Sequence, residues 1–204
     1  HQDVLFPAGW LRTVKTQLQL LPDNAAIVGL VGCTRKGCFR GHVIDPHGHA
    51  YWGPLPTRVT SLDEHVLLVR PNIGLRFDES IPHFHCYGTD IVLAAEAAGY
   101  TAHAVDAPVV HLSGGQLDAS FDESAKVLLD KWGKSMGGVI PTCAKLLSTP
   151  DRAFWRYASC RLARYRSRHS ASGGLPSFRT RYSHDSALHA NVSSAAAGFE
   201  AQVR

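Results

Sequence analysis

The stretch FDESIPHFHCYGTDIVLAAEAAGYTAHAVDAPVVHLSGG, residues 77–115, holds most of the residues that could carry chemistry and decides the fold class. An aromatic and histidine-rich loop leads into IVLAAEAAGY, which predicts a short helix ending at Gly99. TAHAV and APVVHLS then predict two short strands, and the second carries His111 to a Ser-Gly-Gly turn. Asp90 at the start of the helix and His111 at the end of the strand can therefore converge on one site.

The segments before this stretch predict a helix, a strand and a hairpin. Residues 10–21 place apolar side chains at helical spacing, and Pro22 cannot continue the helix. AAIVGLVGC, residues 25–33, is an apolar run that predicts one buried strand. Residues 38–53 predict a β-hairpin that turns at PHG, residues 46–48.

The remaining elements complete an α/β pattern with mixed strand directions. VTSLDEHVLLVR, residues 59–70, predicts a strand with Asp63 and Glu64 in its middle. Neighbouring strand residues point to opposite faces, so one of these acids is expected to face inward or to line a cavity. A helix is expected from about Ser120, which would cap it, to Trp132. The alternation of helices and strands indicates an α/β fold.

Length and composition indicate one domain of ordinary size followed by a tail. The chain has 204 residues, of which 45% are hydrophobic and 19% charged, enough apolar content for a packed core. No apolar run approaches the roughly 18 residues that span a bilayer, and no signal peptide is visible. The five cysteines are odd in number and match no zinc pattern, so we expect reduced thiols in a cytoplasmic protein.

Charge divides the chain into a body and a basic tail. Residues 1–150 contain 12 basic and 14 acidic side chains, whereas residues 151–204 contain 9 and 3. A nucleic-acid partner is not expected, because the body lacks the basic excess that binds phosphates. Residues 151–169 interleave arginine with aromatic residues and predict a basic helix, which either contacts an anionic membrane surface through residues 152–168 or is simply solvated. Residues 170–204 lack periodicity and are predicted to be disordered.

Three residues are candidates for chemistry, and each has a structural alternative. Asp3 could hold a divalent cation, or it is a solvated acid beside a helix. His111 could be a metal ligand or a general acid, or it is a buried imidazole bonded to a backbone carbonyl. Asp90 could be a general base, or it only stabilises the helix dipole.

Other catalytic patterns are absent from the sequence. It contains no glycine-rich phosphate loop, no GxSxG, no HExxH and no CxxC. His47 and His49 lie in the hairpin turn, where solvation is expected rather than metal binding. A histidine-rich metal-dependent hydrolase would need three clustered ligands, and the spacing of the residues shows no such set.

Taken in order, the motifs resemble a bacterial family 2-like glycosyltransferase with a GT-A fold, and more narrowly the streptomycin-biosynthesis glycosyltransferase-like subgroup. The resemblance covers about residues 1–143 and rests on HQDVLFPAGWL, AIVGLVG, GHVID, SLDEHVLLVR, LRFDESIPHFHCYGTDIVLAAEAAGY, APVVHLSGG and LLDKW. It implies the C-terminal part of a Rossmann-like GT-A fold with a mixed sheet, spanning residues 1–150.

The resemblance implies a metal and a nucleotide-sugar donor. HQD occupies the place of the family's acidic metal motif, so Asp3 would meet Mn²⁺ or Mg²⁺ at the diphosphate. His111 falls where these enzymes often supply a late metal or diphosphate ligand. His1 stands where many relatives have an acid that contacts the ribose.

The resemblance also implies an acceptor site. Asp90 falls where inverting members place the base that deprotonates the acceptor hydroxyl. Asp63, Glu64, His85 and Tyr87 would line the donor-sugar or acceptor pocket. Two tryptophans, Trp10 and Trp132, are expected to pack, although an aromatic platform for a sugar is the alternative.

The implied function is inverting transfer of a sugar from a nucleotide-sugar to a carbohydrate or other hydroxyl acceptor, in bacterial surface polysaccharide or glycoconjugate synthesis. In GT-A enzymes a nucleotide-binding half of roughly one hundred residues precedes the metal motif, and here HQD opens the sequence. We therefore expect a C-terminal portion that binds nucleotide-sugar weakly or not at all by itself. The alternative is a non-catalytic carbohydrate-binding or interaction module derived from such an enzyme.

Overall fold

The computed structural model describes residues 1–114 and 117–150. These residues form three helices and twelve short strands, numbered here in chain order. The helices are α1 (Trp10–Leu18), α2 (Tyr87–Ala97) and α3 (Ala119–Trp132). The strands are β1 (Val4–Leu5), β2 (Ala25–Gly29), β3 (Val31–Cys33), β4 (Phe39–Asp45), β5 (Gly48–Trp52), β6 (Thr57–Val59), β7 (Ser61–Leu62), β8 (Leu67–Val69), β9 (Thr101–Ala104), β10 (Val110–His111), β11 (Val139–Pro141) and β12 (Leu146–Ser148).

Two mixed sheets and one hairpin account for the strands of the described ranges. The first sheet has the order β1-β10-β4-β3-β7, with β5 paired to β4, and only its β10–β4 pair is parallel. The second sheet has the order β6-β9-β2-β8, with β2 and β9 parallel. Strands β11 and β12 form a separate antiparallel pair. The predicted mixed α/β architecture is thus confirmed.

The apolar run at residues 25–33 forms two strands, not the single strand predicted. Strands β2 and β3 belong to different sheets, and Leu30 lies between them, fully buried. The Leu30 carbonyl accepts a hydrogen bond from the His42 amide at 3.0 Å, which continues the β3–β4 pairing. This close approach requires glycine at position 41, because a Cβ there would lie 2.5 Å from the Leu30 carbonyl oxygen. A run buried on both faces can serve two sheets, since it needs no polar side.

The segment at residues 59–70 also differs from the prediction. It contains the end of β6 and all of β7 and β8, with a turn at Glu64 and His65, directly after Asp63, where a continuous strand was expected. The Asp63 carboxylate accepts the His65 backbone N–H at 3.1 Å, a local bond that favours a turn over a strand ladder. The two acids therefore do not alternate across a strand.

Two helix starts lie earlier than predicted. Helix α2 begins at Tyr87, so Asp90 lies inside its first turn and does not precede it. Helix α3 is capped by Asp118, whose carboxylate accepts the Ser120 backbone N–H at 2.9 Å. The predicted cap at Ser120 is therefore wrong, because the aspartate two residues earlier takes that role.

The core consists of three clusters. The first lies around Trp10 and Leu30, the second between α2 and the second sheet, and the third between α2 and α3. Trp10 is buried as expected, and its indole N–H donates to the Ala107 carbonyl at 2.9 Å. Within the described ranges, none of the helices has the length and hydropathy needed to cross a membrane. The predictions for residues 151–169 and 170–204 lie outside these ranges.

Candidate functional site

Asp3 and His111 meet at the edge of the first sheet. Strands β1 and β10 pair antiparallel with Val4 opposite His111, and the Leu112 amide donates to the Asp3 carbonyl at 2.8 Å. This register places the carboxylate oxygen of Asp3 3.4 Å from Nε2 of His111. The same oxygen is hydrogen-bonded to Nδ1 of His1. Ligand atoms of His1, Asp3 and His111 all lie within 4.8 Å of one another.

We name these three residues the Asp3 cluster. It joins the two residues for which the resemblance implied metal binding, Asp3 and His111, although they lie far apart in the sequence. The cluster also includes His1, whose position was compared with that of a ribose-binding acid. Its side chains are between 16% and 30% exposed, so solvent or a ligand can reach them. Sequence patterns did not indicate a third ligand.

A third histidine, His65, packs against the Asp3 cluster. The ring of His65 stacks on that of His111, with centroids 5.6 Å apart and an interplanar angle of 24°. Its Nδ1 is hydrogen-bonded to Asp63 at 2.6 Å, and its buried Nε2 has no partner among the described residues. Burial tends to raise the pKa of Asp63, but the bonds from His65 outweigh it and the pKa is lowered. Asp63 is thus a carboxylate that orients an imidazole beside the cluster.

Glu64 links this group to the start of α2. Its carboxylate accepts the Gly88 backbone N–H at 3.1 Å, and its carbonyl accepts the Tyr87 hydroxyl at 3.5 Å. The N-cap residue of α2, Cys86, makes no side-chain cap, so Glu64 supplies the acceptor from another segment. Gly88 permits this approach, because a Cβ there would lie 2.5 Å from the Leu62 carbonyl oxygen.

The two adjacent acids have opposite pKa shifts. Burial and then the charge of Asp63 raise the pKa of Glu64 to about 8, although backbone hydrogen bonds partly offset the rise. Asp63 holds its negative charge through His65. One neighbour therefore carries the charge near neutral pH and the other carries the proton, an arrangement that suits acid–base chemistry.

Asp90 lies at the junction of α2 and α3. It is 1% exposed and accepts hydrogen bonds from the Trp132 indole at 2.6 Å and from Lys131 at 2.8 Å. Lys131 also binds Asp78. Burial tends to lower the pKa of Lys131, but the bonds to Asp78 and Asp90 raise it. The predicted base is therefore held inside an interhelical contact, and Trp132 supports that contact.

The remaining predicted substrate-binding residues lie apart from each other. Tyr87 packs edge to face against Phe77, with ring centroids 5.7 Å apart, and stays beside Glu64. Burial, followed by the charges of Glu64 and Asp63, raises the pKa of Tyr87 to about 12. His85 instead packs on Phe121 of α3 at 5.6 Å. The structure thus joins Asp63, Glu64 and Tyr87, and it leaves His85 on the α3 side.

Comparison with known proteins adds one relative and no family. No family model matches the chain. It is 32% identical over 103 residues to a protein of Fuscovulum blasticum described as "ATP synthase subunits region ORF 6". The match covers 50% of this chain and 41% of that protein, so the chain spans about two fifths of its relative's length. That description names a genomic region and states no activity.

Proposed function

We propose that this chain is the metal- and acceptor-binding part of an inverting glycosyltransferase that uses a nucleotide-sugar donor and belongs to a GT-A fold. The observation that carries the proposal is the meeting of Asp3 with His111, at 3.4 Å between ligand atoms. The resemblance to family 2-like glycosyltransferases implied a metal at these two positions. Independent positions of the sequence are therefore adjacent where the proposed function needs them.

The donor set of the Asp3 cluster fits a divalent cation. Asp3 offers a carboxylate and the two flanking histidines offer imidazoles. This combination favours Mn²⁺ over Mg²⁺, because Mg²⁺ prefers an all-oxygen shell. A bound ion would offset the negative charge of a diphosphate leaving group. Asp63 and His65 lie behind His111 and would hold its ring in place.

Two carboxylates are candidates for the base that takes the acceptor proton. Asp90 is the one that the resemblance implies, but Lys131 and Trp132 occupy it in this structure. Glu64 has surroundings that favour proton transfer, since its pKa of about 8 lies close to neutral pH and its ionised fraction grows as pH rises towards 8. We propose that the ionised form of Glu64 takes the proton and that Asp90 fixes α2 against α3.

A metal titration tests the site. We expect Mn²⁺ to bind the chain with 1:1 stoichiometry in calorimetry. Asp3→Asn should weaken this binding at least tenfold, because the carboxylate that lies beside both histidines loses its charge. Asp23→Asn, at an exposed acid outside the cluster, is the matched control. Equal affinity in wild type and Asp3→Asn would overturn the metal assignment.

A comparison of two variants tests the base. The assay uses a form of the protein that releases nucleoside diphosphate from a nucleotide-sugar. In this form Glu64→Gln should reduce kcat at least a hundredfold and leave KM for the donor unchanged. Asp90→Asn should lower the free energy of unfolding. It should reduce the kcat of the folded fraction less than Glu64→Gln does. The reverse ranking of kcat would return the role to Asp90. Carbohydrate binding without turnover in any form would instead support a non-catalytic module.

A metal-dependent hydrolase is the second candidate. The observation that favours it is the set of three ligand atoms within 4.8 Å, which the sequence pattern alone did not indicate. Hydrolytic sites with three protein ligands usually hold Zn²⁺. Activation by Zn²⁺ with water as the only acceptor would favour this function, whereas activation by Mn²⁺ with a sugar acceptor would favour transfer.

A further inference from the structure

A second group of histidines lies on the β4–β5 hairpin, on the side away from the core. Val43 points into the core and is 5% exposed, so its neighbour His42 faces outward. In the antiparallel register Ile44 is opposite His49, and His42 is opposite Tyr51. His42 and His49 are therefore diagonal neighbours on one outward face, and we name them the hairpin histidine pair.

The ring of His42 is oriented from behind by a carboxylate. Its Nδ1 lies 2.5 Å from a carboxylate oxygen of Asp106, which follows β9. The Tyr51 ring packs edge to face on the His42 ring, with centroids 5.2 Å apart. When Asp106 accepts a hydrogen bond from the Nδ1–H of His42, the lone pair lies on Nε2. A carboxylate behind a histidine is the arrangement that typically supports a metal ligand.

The second imidazole points at the same place. Nε2 of His49 lies 2.5 Å from Nε2 of His42, and the rings are stacked with an interplanar angle of 9°. Two lone pairs cannot approach this closely without a proton between them, so one proton is shared in the metal-free pair. A divalent cation could replace that proton and be coordinated by both nitrogens. His49 is exposed, so water has access to the remaining coordination positions.

We propose that His42 and His49 form a surface site for an imidazole-preferring divalent cation of the Zn²⁺, Ni²⁺ or Cu²⁺ class, with Asp106 as the positioning residue. Imidazole nitrogens favour these ions over Mg²⁺ and Ca²⁺. A continuous five-pair ladder between β4 and β5 keeps the two residues adjacent, and rotation of their side chains can widen the gap between the nitrogens to the roughly 3.3 Å that a tetrahedral ion with Zn–N bonds of about 2.0–2.1 Å requires. It shares no residue with the Asp3 cluster and does not depend on the proposed function.

Calorimetry with Zn²⁺ alone tests the proposal in the full chain. The background carries Asp3→Ala and His111→Ala, so that the Asp3 cluster cannot contribute. We expect His49→Ala to weaken Zn²⁺ binding at least tenfold, and Asp106→Asn to weaken it about tenfold through loss of ring orientation. The control is His83→Ala. It removes the imidazole of an exposed loop residue that is hydrogen-bonded to Glu123 of α3. Circular dichroism checks that each variant is folded.

A local readout makes the result independent of the other histidines in the chain. In nitrogen-15 spectra of the imidazoles, Zn²⁺ should shift the Nε2 signals of His42 and His49 together, with release of at most one proton per ion. Unchanged Nε2 signals at saturating Zn²⁺ would overturn the proposal. So would an affinity that is the same in His49→Ala as in its background, and the pair would then share only a proton.

Discussion

At the scale of single residues, Asp63 and Glu64 are adjacent acids with opposite behaviour. Asp63 is bound by the neighbouring His65, which lowers its pKa, whereas burial and the charge of Asp63 raise the pKa of Glu64. The difference comes from the turn, which directs one side chain back to the chain and the other towards the start of α2.

The pKa of Glu64 predicts how stability depends on pH. The value is raised from 4.5 to about 8, so the native state binds more protons than the unfolded state between these limits. The free energy of unfolding should therefore fall as pH rises from about 5 to 8. Glu64→Gln should remove this fall and be more stable than wild type by ~1–3 kcal/mol at pH 9, after allowance for partial exposure.

Urea unfolding at pH 5 and pH 9 measures the effect. Glu79→Gln, which changes an exposed acid of the same type, should show the wild-type pH dependence. A Glu64→Gln variant whose stability loss between the two pH values equals that of wild type would contradict a raised pKa in the native state.

At the scale of elements, α2 is held at both its start and its side by charged groups from other segments. Glu64 accepts an amide at the helix start, and Asp90 in the first turn binds α3 through Lys131 and Trp132. Lys131 also bridges to Asp78 in the loop before α2. This contact fixes the orientation of α2, and with it the position of Gly88 against Glu64.

Removal of the lysine charge should loosen this contact. Lys131→Met keeps most of the side-chain length but removes the positive charge, which leaves the buried Asp90 carboxylate bonded to the neutral Trp132 indole. We expect a loss of ~1–3 kcal/mol in the free energy of unfolding, because the carboxylate stays desolvated. Lys126→Met, at an exposed position of α3, should change stability by under about 0.5 kcal/mol. Chemical unfolding of both variants decides, and equal stabilities would contradict the role of Lys131.

The sequence predicted those elements that depend on local patterns. The hairpin and α1 follow from alternation and helical spacing, and both are present. The turn at Asp63 and the cap at Asp118 were missed, because a side chain bonding to a nearby backbone amide competes with the hydrophobic pattern. The proximity of Asp3 to His111 was anticipated from the resemblance. The roles of His65 and Glu64 depend on tertiary burial, which no local pattern contains.

At the scale of the whole molecule, the candidate site lies where the two sheets are joined. The Asp3 cluster belongs to the edge of the first sheet, and the turn with Asp63 connects β7 of that sheet to β8 of the second. Leu30 makes another connection, between β2 and β3, and is fully buried. The relative placement of the sheets therefore sets the geometry of the site.

Truncation of Leu30 should destabilise the whole domain. Leu30→Ala removes a side chain with 0% exposure between two sheets, and we expect a cost of ~2–5 kcal/mol. Leu20→Ala, at a leucine that is 60% exposed, should cost less than about 0.5 kcal/mol. Urea denaturation followed by tryptophan fluorescence measures both. A Leu30→Ala midpoint equal to that of Leu20→Ala would show that the sheets do not depend on this residue.

The shortness of β1 has a consequence for the way a ligand would be held. This strand has two residues, lies at the edge of the first sheet and carries Asp3 beside its first residue. An ion bound between Asp3 and His111 would act as a clasp across the β1–β10 ladder. By thermodynamic linkage, the free energy by which a bound ion stabilises the β1–β10 pairing equals the free energy by which that pairing stabilises ion binding. Fraying of the sheet edge and release of the ion would then be one event.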